Sequence, residues 1–249
     1  MKKWLVNTFL VFCIIGVSIY YSNGKGVSVF NSVLEKKDSM PIHSVSTEEK
    51  VVSITINTGF GTQYTSEILD LLEDEGVKAT FFVTGKWIDA YREDLLNIHN
   101  KKHEVGNSSL TYPHFTKISK EEIKSEIKST DDKINEVISE RTKLVRPPFG
   151  DYSASVIKTI QGEGYYPIIW DVDSLDNTNR DKKEIVDIVL KQVSNGSIIL
   201  FNNTEKTKGA LKEVIRELKL RGYKFKKVSD LIYKDGYYVD HTGRQKNMK

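Results

Sequence analysis

From Val51 to Phe225 the chain alternates short β-rich apolar runs with longer runs whose apolar residues recur at helical spacing. The first is Val51 to Ile56, followed by Ile68, Leu69, Leu71 and Leu72 at helical spacing, then Ala79 to Val83. A helical run through Leu95, Leu96 and Ile98 precedes a short strand near Glu104 and Val105. Later units repeat the pattern: strand Lys143 to Val145, helix Ser153 to Gln161, strand Pro167 to Trp170, helix Lys183 to Val193, strand Ser197 to Phe201, helix Lys208 to Leu220, and a last strand near Phe225. Strands separated by helices pair in parallel through right-handed crossovers. About seven such units in roughly 190 residues predict a distorted parallel (β/α) barrel of the α/β class, closed or nearly so, in a single domain.

Local signals agree with that period. Ser119 with Glu122 forms a capping box at the head of a long helix carrying Ile123, Ile127, Ile134, Val137 and Ile138. The 249 residues are 39% hydrophobic and 29% charged, enough for one real core. Lys and Arg number 37 against 34 Asp and Glu, and the +3 balance is spread along the chain with no basic stripe, which excludes nucleic acid as an expected partner.

The ends differ from the middle. Lys2 and Lys3 precede a charge-free run from Trp4 to Tyr21, roughly 18 residues long, near the lower limit for a membrane span. Residues 1–22 are expected to be a single-pass signal-anchor, with the lysines inside and the remainder extracytoplasmic at the cell membrane. The alternative is a cleaved signal peptide, against which Ile19-Tyr20-Tyr21-Ser22-Asn23 offers no pair of small residues at cleavage spacing. Cys13, the only cysteine, lies inside the run, so the remainder has no disulfide. Residues 23–50 have the composition of a linker and 51–233 form the domain. Residues 234–249 form a polar tail, mostly loose, in which Tyr237 to Val239 suit a short edge strand.

Chemistry in a parallel barrel sits at the C-terminal strand ends. There the segments ILDLLEDEGVKATFFV (68–83), HEVGN (103–107), RPPFG (146–150), WDVDSLD (170–176), GSIIL (196–200) and GYKFKKVSDLI (222–232) occur in order. Together they resemble the NodB-like polysaccharide deacetylases, and WDVDSLD with the short anchor resembles the sporulation-type subgroup. The resemblance implies a divalent metal held by an Asp and two His, an Asp general base and a His general acid. Here the base and first ligand positions carry Asn57 and Thr58, the two imidazole positions carry Ser108 and Tyr112, and the acid position carries Asn202. Arg146 and Asp176, which in the family orient base and acid, are retained, although Asn177 replaces a Trp.

Metal-assisted amide hydrolysis needs a Lewis acid and a base. Hydroxyls of Thr58, Ser108 and Tyr112 are poor ligands for a zinc-like ion, and the amides of Asn57 and Asn202 neither take nor give a proton near neutral pH. The expectation is a pseudoenzyme with no cofactor, binding peptidoglycan, another glycan or a protein partner in cell-wall or spore-envelope assembly. Tyr112, Arg146, Phe149, Asp173 and Asp176 are its candidate ligand cleft. Two alternatives remain at this point: an active carbon–nitrogen hydrolase with a rearranged site, and a purely structural interaction domain. A metal site rebuilt from His103, Glu104 and His114 is disfavoured, because neighbours in a strand point to opposite faces.

Overall fold

The computed structural model describes residues 40–59 and 61–248. The expected anchor lies outside the described residues, and among those described no helix is long and apolar enough to cross a membrane. The elements, in chain order, are β1 (Ser44–Val45), β2 (Val51–Thr58), α1 (Thr65–Asp74), β3 (Thr80–Val83), α2 (Gly85–Ala90), α3 (Arg92–Asn100), β4 (Glu104–Asn107), α4 (Lys120–Ile138), β5 (Leu144–Val145), α5 (Ala154–Gly162) and β6 (Tyr166–Pro167). They continue with β7 (Val172–Asp173), α6 (Lys182–Gln192), β8 (Ile198–Asn202), α7 (Glu205–Leu220), β9 (Lys224–Phe225), α8 (Val228–Leu231), β10 (Tyr237–Val239) and β11 (Arg244–Asn247).

The main sheet has the order β6-β5-β4-β3-β2-β8-β7, with β9 pairing the start of β2, and its pairings are parallel. Strand alternation divides its side chains. Val52, Ile54, Ile56, Phe81, Val83, Ile199 and Phe201 join the core packed under the helices. Val51, Phe82 and Ile198 belong to a second cluster on the other face, filled from below by Val228, Leu231 and Ile232. Asn57 and Asn202 have the parity of Val51 and Ile198, so they end on the inner face.

The nearly closed barrel is corrected to an open half-barrel. β6 and β7 are two-residue edge strands that do not pair with each other. The chain between them is engaged elsewhere: Ile168 bridges Ile42, and Ile169 N donates to Ile42 O at 2.8 Å.

The same contact moves a domain boundary. Residues 40–50, inside the stretch expected to be linker, are part of the described fold, because Ile42 and Val45 are buried and β1 pairs in parallel with β11. Nor is the C-terminal stretch loose. β10 and β11 form an antiparallel hairpin. Gln245 is fully buried, its side-chain amide accepting from Tyr233 N and donating to Tyr233 O, both at 2.8 Å.

Candidate functional site

The parallel register gathers the singled-out residues at one end of the sheet. Asn57 lies opposite Asn202 and Phe82, Thr58 opposite Val83, Val83 opposite Asn107, and Asn107 opposite Val145. Arg146 follows β5, Asp173 ends β7, and Ser108 follows β4 with its N–H donating to Val83 O at 2.8 Å.

Arg146 is the centre of this end. It is only 1% exposed, and its Nη1 donates to Asn57 Oδ1 at 2.9 Å while Nη2 donates to Ile169 O at 3.1 Å. Its guanidinium carbon sits 3.9 Å from the Phe82 ring centre and 5.3 Å from that of Trp170, so aromatic faces carry much of its charge. Gly106 makes room for this, since a Cβ there would come within 2.5 Å of the Phe82 ring. The Nε atom is buried with no hydrogen-bond partner. Burial holds the guanidinium down to about 9, against smaller upward pulls from Tyr112 and Asp173. Among the described residues no carboxylate stands within ion-pair distance of it; an amide oxygen takes the place of a counter-charge.

Asp176, also buried, is fully occupied. Its carboxylate accepts from Asn202 N at 2.8 Å, from Asn202 Nδ2 at 2.6 Å and from the Thr207 hydroxyl. Asp176 thus orients Asn202 as a partner of a histidine would, but the oriented group is an amide. Asp173 is pushed upward chiefly by burial; its Oδ1 accepts from Leu175 N at 2.9 Å.

The positions that resemble metal ligands hold neutral hydroxyls. Ser108 Oγ donates to Arg146 O at 3.2 Å. The Thr58 hydroxyl is buried with no hydrogen-bond partner. Tyr112, at φ 64°, reaches across to the RPPFG turn, where its hydroxyl accepts from Phe149 N at 3.3 Å. The Glu126 carboxylate of α4 fixes this loop by accepting from Leu110 N, Thr111 N and Thr111 Oγ1 at 2.8–2.9 Å. This donor set does not suit a zinc-like cation, and no chemical step is derived through one.

Phe149 is 54% exposed and adopts φ 61°, with Tyr112 4.7 Å away and the His114 ring stacked on it at 4.2 Å and 16°. Asp151 Oδ2 steadies His114 from 3.1 Å. An aromatic shelf therefore borders the Arg146 end. Sequence reasoning left two supports unassigned, Phe82 and His43. The His43 ring nitrogens meet Trp170 O at 2.9 Å and the Tyr152 hydroxyl at 3.3 Å, holding the Trp170 face in place. The composition of its segment concealed His43; the strand parity of Phe82 was the available signal.

A parallel half-barrel with its polar residues collected at the C-terminal strand ends has the layout of a barrel whose functional site lies on that face. The polysaccharide deacetylase profile matches residues 44–168, half of the sequence, and the chain belongs to that family. Peptidoglycan-N-acetylmuramic acid deacetylase PdaA of Bacillus subtilis is 31% identical over 208 residues, covering 82% of this chain and 78% of that protein. The wild-type Bacillus anthracis protein BA3943, a CE4 family pseudoenzyme, is similar with a TM-score of 0.75 at 30% identity, over 80% of this chain and 70% of that one. A mutant of BA3943 with restored enzymatic activity is similar to the same degree.

Proposed function

We propose that this chain is a deacetylase-fold pseudoenzyme without a metal cofactor that binds a peptidoglycan-type glycan outside the cell, tethered by residues 1–22. The observation that carries the reading is the 2.9 Å hydrogen bond from Arg146 to Asn57 Oδ1. An amide oxygen in the place of a general base has no proton affinity near neutral pH, so Arg146 orients a group unable to act. Asp176 does the same for Asn202. Loss of base, acid and metal together leaves background hydrolysis only. The Phe149 shelf supplies what binding requires, an exposed aromatic face for the apolar side of a sugar ring.

The test uses the full-length chain. Its melting temperature should be unchanged by excess zinc or chelator, and it should release no acetate from purified peptidoglycan. The same chain should co-sediment with that peptidoglycan, and Phe149→Ala should weaken retention by about tenfold, the equivalent of ~1.4 kcal/mol. Restoring the family's groups, with Asn57→Asp, Thr58→Asp, Ser108→His, Tyr112→His and Asn202→His combined, should bring in a zinc-dependent thermal shift. Acetate release by the unaltered chain would overturn the pseudoenzyme reading and favour a rearranged hydrolase. Absence of sedimentation would move the search to protein partners.

A further inference from the structure

The opposite end of the same strands carries a second concavity, of about 430 Å³, in the range of small-ligand sites. It opens at the N-terminal ends of β4, β5 and β6, and Lys143, Lys227, Lys234, Tyr166, His103 and Glu104 line it. Conserving stability would ask only that these groups satisfy one another, and several do not.

The Lys143 and Lys234 ammonium groups lie over the faces of Tyr165 and Tyr166, at 5.7 and 5.3 Å from the ring centres, with no carboxylate at ion-pair distance among the described residues. Among the described residues Lys227 has only a distant partner, Asp230 at 3.9 Å. Burial lowers the proton affinity of Lys234, against smaller upward pulls from Glu104 and Asp230, both beyond ion-pair distance.

The acidic side chains nearby are partly committed to other groups. Glu104 Oε2 is occupied by the Thr80 hydroxyl at 2.7 Å and by Ser229 N at 3.2 Å. Glu140 is exposed and turned toward His99, 3.8 Å away. Arg141, also at the rim, is already paired with Asp131 and Asp132.

His103 provides an independent observation. It is 5% exposed, and its Nδ1 accepts from Ala79 N at 3.1 Å. Burial, with smaller pushes from Lys78 and Lys101, holds the ring at about 4, so it is neutral near pH 7. With Nδ1 accepting, the proton resides on Nε2, and that buried N–H donor has no partner. An unmet buried donor lining the same cavity as three weakly paired ammonium groups is a demand for an acceptor with several oxygens.

We infer that the cavity at the N-terminal strand ends is a binding site for a phosphate-class oxyanion, held by Lys143, Lys227 and Lys234. Its volume exceeds that of a bare phosphate, leaving space for an ester substituent beside Tyr166. The site is separate from the glycan-binding end and does not depend on that reading.

The full-length chain, with its histidines labelled with nitrogen-15, is titrated at constant ionic strength with inorganic phosphate, with dimethyl phosphate and with sodium chloride. A saturable rise in melting temperature and movement of the His103 ring signals, with either phosphate and not with chloride, support the site. Tighter binding of the diester assigns the source as a phosphodiester polymer; tighter binding of inorganic phosphate assigns a free phosphate or monoester. The pair Lys143→Met and Lys234→Met should weaken binding by about tenfold or more. An unmoved His103 signal in the unaltered chain, or an equal response to chloride, overturns the inference. So does unchanged phosphate affinity in the double variant.

Discussion

At the scale of single residues, two titratable groups carry an acid response of opposite sign. The folded value of His103 is about 4 against 6.5 for the free group, so between these the unfolded chain takes a proton that the folded one refuses. Its contribution to stability is full above pH 6.5 and falls as pH drops, by about 3 kcal/mol at pH 4. Asp171 is raised to about 6 by partial dehydration of its carboxylate, against the hydrogen bonds from Ser197 and Ile198 N, so there the folded chain holds the extra proton and acidification through that range stabilises. His103→Gln keeps an acceptor for Ala79 N and should shrink the stability gap to the unaltered chain as pH falls from 6.5 to 4, measured by urea denaturation at each pH. A constant gap would mean that the imidazole titrates normally. These burial effects were not legible in the sequence, which shows that His103 precedes a strand but not that Phe81 covers it edge-on at 5.3 Å. Asn57, Thr58, Ser108, Tyr112 and Asn202 were singled out in the sequence through the family resemblance alone; that Asn57 and Asn202 stand side by side comes from the register of β2 and β8.

At the scale of elements, what the sequence revealed followed from local chemistry. The capping box of α4 forms as expected, Ser119 Oγ accepting from Glu122 N at 3.2 Å and Glu122 Oε2 from Ser119 N at 2.7 Å. Ser119→Ala should cost about 1 kcal/mol in urea denaturation. The loss should leave the site untouched, since Glu126 clips the 108–112 loop from the second turn. A second box, Asp181 with Glu184, starts α6. Elements set by distant partners were hidden: β1 and β7 are two residues long, and β11 is Arg-Gln-Lys-Asn, which has no apolar alternation. Such segments become strands because a neighbour completes their hydrogen bonds, which is information carried by the neighbour.

At the scale of the whole described fold, an open sheet is finished by its chain ends. Val45 and Val239 extend the inner cluster, and Gln245 ties the hairpin to Tyr233. Ending the chain at residue 233 should therefore destabilise it by roughly 3 kcal/mol or more, from lost apolar burial and two buried amide bonds. Equilibrium urea unfolding of the shortened chain measures this, and an unchanged midpoint would show that the hairpin is ornamental. The pairing of Ser44 with Arg244 and Val45 with Gln245 also has a meaning in time. A ribosome delivers the first strand of this ladder long before its partner exists, and loop closure across nearly the entire domain must precede the reward. Folding thus has a late step written into it: this ladder closes only after residues 244 and 245 have been made.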